Sequence, residues 1–219
     1  MGLVYAGVPH DLVIALQSAA HAVAFIETGT YEGATAAWAA RYFERVITIE
    51  AAEELHRQAQ ARHAALRNVD FRLGDSRRHL PEILGQLRGP AIIWLDSHWS
   101  GGVTYGSDDE CPLVDELGLI AAAPGEHVIL IDDARLFLAP PPAPHSIDAW
   151  PTIGEVLAAL PGTNRYTIVL QDVIVSVPDS LQTVVQTYAR AVADEAWQQR
   201  RTSGPVRRAL RRVVSALQR

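Results

Sequence analysis

The sequence predicts an α/β fold: a doubly wound, mostly parallel sheet of seven strands with helices on both faces. Short runs rich in valine and isoleucine alternate with longer segments of helical periodicity along most of the chain. The last two apolar runs follow one another with almost no gap. They predict a terminal hairpin that adds an antiparallel strand at one edge of the sheet.

The predicted elements divide the chain into two parts. Strands are predicted at residues 22–27, 45–50, 69–75, 91–97, 127–133, 166–171 and 172–178, and helices at 10–20, 34–43, 51–66, 77–87, 111–123, 151–160, 179–201 and 206–219. Residues 1–178 are predicted to form one domain. Residues 179–219 are predicted to form a C-terminal helical extension with a basic tail.

Composition favours a cytoplasmic protein. The chain has 219 residues, of which 48% are hydrophobic, enough for one domain with a sizeable core. No apolar run approaches the roughly 18 residues that span a bilayer, and the first residues lack signal-peptide character. The one cysteine, Cys111, excludes an intrachain disulfide.

Charge is distributed unevenly along the chain. All 19 basic residues are arginine, so no lysine can act as a general base or form a Schiff base. Residues 200–219 hold seven arginines and no acid, and the acidic remainder argues against nucleic-acid binding by the domain. The tail helix 206–219 either packs on the body or a second subunit, or lies on a membrane surface without stable attachment. A homodimer is our expectation.

A glycine turn follows the first strand, in the pattern Glu27-x-Gly29-x-x-x-Gly33. In open α/β sheets ligands bind at the carboxyl ends of the strands, and glycine lets the backbone approach a ligand closely. The pattern differs from G-x-G-x-x-G, so a dinucleotide site is the poorer match.

Acidic residues close the following strands. Glu50 ends the second strand, where its carboxylate either accepts both hydroxyls of a ribose or remains solvated. Asp96 ends the fourth strand, and Asp132 and Asp133 end the fifth. Carboxylates at adjacent strand ends repel one another unless protons or a cation intervene, and Mg²⁺ prefers such oxygen ligands. Alternatively, one acid of the pair binds a ligand and the other caps the next turn.

The glycine turn and these acids resemble class I S-adenosylmethionine-dependent methyltransferases, with Tyr31 in place of a middle glycine. The Asp96 and Asp132-Asp133 pattern is similar to the metal-dependent macrocin and novobiocin O-methyltransferases. The resemblance implies a Rossmann-like methyltransferase fold, with a methionine pocket beside the glycine turn, ribose at Glu50 and adenine at Asp75 and Ser76. The cofactor-binding residues that it implies are Glu27, Gly29, Thr30, Gly33, Glu50, Asp75, Ser76 and Asp96. For Asp75, capping of the next helix is an alternative.

The same resemblance implies Mg²⁺-assisted O-methylation of a small molecule such as a sugar or secondary metabolite. Mg²⁺ bound by Asp96, Asp132 and Asp133 would lower the pKa of the acceptor hydroxyl. His98 lies two residues beyond the first ligand, where the family has its base, and is predicted to take the proton. Alternatively, His98 is a structural loop histidine.

Other functions remain open from the sequence. Trp99 and Tyr105 either pack on an acceptor ring or anchor their loop. A nicotinamide-dependent oxidoreductase is one alternative to the methyltransferase. A nucleoside-binding module without catalysis is another.

Overall fold

The computed structural model describes residues 7–99 and 109–198. The strands are β1 Ala24–Thr28, β2 Val46–Glu50, β3 Val69–Leu73, β4 Ala91–Leu95, β5 Val128–Ile131, β6 Arg165–Leu170 and β7 Val173–Pro178. The helices are α1 His10–Ala20, α2 Ala34–Ala39, α3 Glu53–Arg62, α4 Ser76–Gly85, α5 Leu113–Ala122, α6 Arg135–Leu138 and α7 Ile153–Ala159, with short 3₁₀ helices at Ile147–Ala149 and Asp179–Leu181. Residues 182–198 are helical, whereas Tyr105 and the predicted helix 206–219 lie outside the described residues.

The strands form one sheet in the order β3-β2-β1-β4-β5-β7-β6, which confirms the mostly parallel seven-stranded prediction. The predicted terminal hairpin lies at one edge of the sheet, with β6 as the edge strand. The strand β7 lies one place inside it and pairs antiparallel with both β5 and β6. Because β7 is buried throughout whereas β6 is only partly buried, the inner position removes more apolar surface from water.

Helices cover both faces of the sheet. Strands β1, β2, β4 and β5 are buried along their whole length, as expected for parallel strands between two helical layers. The core cluster includes the fully buried side chains Ile26, Ile47, Ile93, Ile129 and Ile174. The edge strand β3 is only partly buried.

Several helices differ from their predicted bounds, and one α-helix was not predicted. The predicted helix 34–43 ends at Ala39, because the Asn68 amide donates to the carbonyls of Ala40 and Phe43 and turns the chain there. The short helix α6 was not predicted, since four residues are too few to show helical periodicity.

The described residues fall into two compact units, divided between Gln182 and Thr183. The predicted division after residue 178 stays a prediction of domain organisation. Within the described ranges, no helix has both the length and the apolar character needed to cross a bilayer.

The direction of chain crossover reverses between β1 and β4. The chain runs outward from β1 to β3 on one side and from β4 to β5 on the other, so a crevice opens at the carboxyl ends of β1 and β4. Backbone hydrogen bonds continue past the strand ends, from Gly29 N to Ile49 O at 2.9 Å and from Asp96 N to Thr28 O at 3.0 Å. These bonds hold Gly29 and Asp96 at the crevice.

Candidate functional site

The glycine turn lies against the end of β4. Gly29 has φ +87°, and a Cβ atom built there would lie 2.1 Å from the Asp96 carbonyl oxygen. Gly33 has φ +76°, with a built Cβ 2.8 Å from the His63 ring. Tyr31 takes the left-handed conformation without being glycine, at φ +48°. A side chain at Gly29 would meet backbone atoms and one at Gly33 would meet the His63 side chain, so the steric constraint is stricter at Gly29.

Glu27 is a buried acid beneath the turn. Its Oε2 accepts a hydrogen bond of 2.6 Å from Thr48 Oγ1, and the Thr30 and Thr48 hydroxyls are also 2.6 Å apart. Burial raises the pKa of Glu27 to about 8; the Thr48 bond acts against this, and the charges of Asp96 and Glu50 add to it. In the described part of the chain no arginine or histidine pairs with Glu27, so the pocket suits a cationic group.

Glu50 is held in one orientation at the end of β2. Its two carboxylate oxygens accept backbone hydrogen bonds from Tyr31 N at 2.8 Å and Ala52 N at 2.9 Å. Each oxygen keeps a lone pair for a further donor. Tyr31 and Ala52 also belong to the lining of a cavity of about 320 Å³, which is completed by Glu32, Glu54, Leu55, Gln58 and Arg62.

Asp75 caps the helix α4, as the structural alternative predicted. Its Oδ1 accepts from Arg77 N at 2.9 Å, and both carboxylate oxygens also bind the Arg77 guanidinium. This pairing lowers the pKa of Asp75. Arg77 further pairs with Asp109 at 2.7 Å and with Asp115 at 3.1 Å. Ser76 is buried beside Asp75, and the ligand contacts of both residues stay predictions.

The structure brings Asp96, His98, Asp132 and Asp133 together at the ends of β4 and β5. His98 Nε2 lies 2.9 Å from Asp133 Oδ2 and 3.8 Å from Asp96 Oδ1. Burial acts to lower the pKa of His98, but the Asp133 bond and the charge of Asp96 outweigh it and raise the pKa. Burial raises the pKa of Asp96 to about 7 and that of Asp132 to about 6.

Asp133 contacts two basic side chains. Its Oδ2 bonds His98, and its Oδ1 lies 2.5 Å from Arg135 Nη1. These contacts outweigh burial and lower the pKa of Asp133. Among the described residues, no three histidine, cysteine or acidic side chains form a group that could hold a metal. Asp96, Asp132 and Asp133 stay predicted metal ligands, and in this structure Asp133 already contacts His98 and Arg135.

Asp172 is a neighbour of the acidic cluster that the sequence did not predict. It lies in the turn between β6 and β7, forms an ion pair with Arg135, and accepts from Arg135 N at 2.8 Å. Its carbonyl accepts from Ala134 N, also at 2.8 Å. The hairpin signal in the sequence located this turn, but nothing local indicated that it docks beside Asp133.

Known structures share this architecture. No family model and no curated protein matches the chain in sequence. The O-methyltransferase TomG of tomaymycin synthesis from Streptomyces achromogenes, in complex with SAM, is 16% identical at a TM-score of 0.50, with 80% of this chain and 82% of that chain covered. An O-methyltransferase from Bacillus cereus, in complex with SAH, is 20% identical at a TM-score of 0.50, with 78% and 82% covered.

A third match comes from Staphylococcus aureus, a proposed caffeoyl-CoA O-methyltransferase, 12% identical at a TM-score of 0.55, with 80% and 86% of the two chains covered. The chain has the Rossmann-like methyltransferase fold. At these identities the likeness concerns the fold alone. In this methyltransferase fold the crevice between β1 and β4 is where Gly29 and Asp96 meet.

Replacing Gly29 by alanine should destabilise the protein by more than about 2 kcal/mol, because the new Cβ combines a backbone clash with an unfavourable positive φ. Gly162→Ala is the matched control: Gly162 has φ +75° but open space around it, so only about 1 kcal/mol is expected. Urea denaturation measures both. Equal losses of stability in the two variants would show that the close approach to Asp96 adds nothing to the cost of the positive φ.

Glu27→Gln should flatten the dependence of stability on pH. The folded protein keeps the Glu27 proton between its ordinary pKa of 4.5 and about 8, whereas the unfolded chain releases it, so stability falls as pH rises through this window. Between pH 5 and pH 9 the free energy of unfolding should fall less in the variant than in wild type. The difference should be at least about 1 kcal/mol, which corresponds to about one pKa unit. The exposed Glu44, changed to Gln, is the control, and parallel curves for all three proteins would contradict the pKa shift.

Proposed function

We propose that this protein is an S-adenosylmethionine-dependent methyltransferase that methylates a hydroxyl of a small molecule. One observation carries the proposal: Glu27 and Glu50 flank a glycine turn that has no room for a side chain at Gly29, at the crevice between β1 and β4. Glu27, a buried acid with no arginine or histidine partner among the described residues, suits the ammonium group of the cofactor. The Glu50 carboxylate, which two backbone amides hold at the end of β2, suits the two ribose hydroxyls of the cofactor. Similarity in fold to structures bound to SAM and SAH adds support.

The residues of the crevice fit this cofactor, which supplies a sulfonium methyl group when bound. Glu27 would hold the ammonium group, whose positive charge would lower the raised pKa of Glu27 and favour its carboxylate form. Thr30 and the two glycines would shape the methionine pocket. Glu50 would accept from the ribose hydroxyls through the lone pairs that Tyr31 and Ala52 leave free. Asp75 and Ser76 would contact the adenine, and Asp96 would lie beside the methyl group.

We further propose His98 as the general base. In the neutral imidazole, an Nε2–H that donates to Asp133 leaves the lone pair on Nδ1 to take the proton of the acceptor hydroxyl. Arg135 and Asp172 hold Asp133 from its other side. The acceptor is a small molecule, a sugar or a secondary metabolite, and the tomaymycin-synthesis relative in fold is consistent with this class.

Cofactor binding distinguishes this function from its alternatives. S-adenosylhomocysteine at 100 times its Kd should raise the free energy of unfolding by about 2.7 kcal/mol, and NAD should not raise it. Glu50→Ala should weaken S-adenosylhomocysteine binding by roughly tenfold or more, because two ribose hydroxyls lose their acceptor. Thermal shift and calorimetry measure these effects. Stabilisation by NAD alone would replace the proposal with the oxidoreductase alternative.

The pH dependence of methyl transfer tests the base. The rate should rise as His98 loses its proton, with a midpoint above the ordinary value of 6.5 because the His98 pKa is raised. His98→Ala should lower kcat by roughly 100-fold or more and leave S-adenosylhomocysteine affinity within about twofold. Labelled cofactor with a panel of monosaccharides and phenols measures the rate, and His10→Ala in helix α1 is the control.

An unchanged pH profile of the rate in His98→Ala would assign the base to another residue. Cofactor binding without methyl transfer in the wild-type protein would favour the nucleoside-binding module.

Magnesium assistance, which the resemblance implies, has less support because His98 and Arg135 already occupy both oxygens of Asp133. We therefore expect methyl transfer to persist after dialysis against EDTA, measured with the same acceptor panel. Loss of activity that Mg²⁺ restores, and that Asp132→Asn abolishes, would instead establish Asp96, Asp132 and Asp133 as a metal site that rearranges on binding.

A further inference from the structure

Glu110 is a buried carboxylate with no role in the proposed chemistry. It is 6% exposed and accepts three hydrogen bonds: from Ser146 N at 3.0 Å, from Trp150 Nε1 at 2.7 Å and, on Oε2, from His145 Nδ1 at 3.1 Å. All three donors lie in residues 145–150, between α6 and α7. Burial acts to raise the pKa of Glu110, but these bonds outweigh it and lower the pKa, so the carboxylate is ionised near neutral pH.

The backbone of Glu110 is bonded to the other side of the site. Its carbonyl accepts from Trp99 N at 2.7 Å, and Trp99 directly follows His98. One residue therefore connects the segment that carries His98 with the segment that carries His145 and Trp150. Neither connection depends on a ligand.

Aromatic rings complete the contact with His98. The Trp150 ring lies edge-on to the His98 ring, with centroids 5.3 Å apart, and Trp150 is only 6% exposed. His145 lies between Trp99 at 5.3 Å and Trp150 at 5.2 Å. His98 is thus held between an indole ring and the Asp133 carboxylate, which bonds its Nε2 at 2.9 Å.

We propose that Glu110 is a positioning residue for His98: its carboxylate holds the Trp150 ring, which keeps the imidazole against Asp133, and its backbone carbonyl also holds the Trp99 amide. The inference rests on the proposed function only in that His98 is the base. Without the Glu110 carboxylate, the Trp150 Nε1–H and the Ser146 amide lose a buried acceptor, and the indole is free to leave the His98 ring. A catalytic group that is misplaced by about 1 Å can cost up to roughly 100-fold in rate.

A nuclear magnetic resonance arm tests the placement without any acceptor or cofactor. The His98 imidazole signal is assigned by its loss in His98→Ala. We expect Glu110→Ala to shift this signal, because the ring current of Trp150 changes. Glu155→Gln is the matched control, since Glu155 also accepts hydrogen bonds from a loop, at Thr152, but lies on the exposed capping box of α7. A His98 signal at its wild-type position in Glu110→Ala would overturn the proposal, whether or not the protein methylates anything.

A kinetic arm distinguishes positioning from general destabilisation. With the best acceptor of the panel, Glu110→Ala should lower kcat by roughly 10- to 100-fold and leave S-adenosylhomocysteine affinity within about twofold. Glu110→Ala keeps the backbone bond to Trp99 and removes only the side-chain contact with Trp150, so Glu110→Ala/Trp150→Ala should be no slower than the slower single variant. The proposal would be overturned if the loss in kcat of the double variant equalled the product of the two single losses. A kcat within twofold of wild type in Glu110→Ala would also overturn it.

Two further variants keep the test decisive if Glu110→Ala does not fold. Glu110→Gln retains the volume and one acceptor, and it takes the place of Glu110→Ala in both arms, with the same direction of change expected. Trp150→Phe keeps a ring against His98 but lacks the N–H that Glu110 accepts. Its His98 signal should move less than that of Trp150→Ala, and an equal movement would contradict a role for ring packing.

Discussion

The structure depends on the adjacency of two parallel strands, β1 and β4, whose carboxyl ends are so close that the Asp96 carbonyl leaves no space for a side chain at residue 29. This close approach sets the crevice. Because the chain leaves β1 and β4 in opposite directions, acids from both halves of the sheet end at the same rim. Their mutual repulsion is the electrostatic problem that the rest of the site must solve.

The two halves solve that problem differently. On the β5 side, Asp133 is paired with His98 and Arg135, and Asp172 balances the same arginine. On the β1 side, Glu27 keeps its proton to unusually high pH, and Glu50 is bonded only to backbone amides in the described structure. The first half holds the His98–Asp133 pair to which we assign the proton transfer. The second retains acceptors that suit a cationic nucleoside.

Support for the site comes from segments that sequence places far away. The hairpin turn at Asp172 and the buried Glu110 each tie a distant loop to the residues after β4 and β5. Both use carboxylates that accept several hydrogen bonds at once, an arrangement that fixes geometry more than it adds stability. In our proposal, the placement of His98 depends on groups well outside its own strand end.

The sequence by itself determined the alternation of strands and helices, the glycine turn and the acids that end each strand. These features repeat with the period of the local backbone or follow from steric limits at single residues, as at Gly29. The tertiary structure alone decided that β7 lies inside the sheet edge, since that choice depends on burial against β5. It also decided that Asp133 pairs with His98 and Arg135, and that Glu110 meets Trp150. Such contacts join side chains through packing and charge, and no local periodicity encodes which distant partner a buried carboxylate will find.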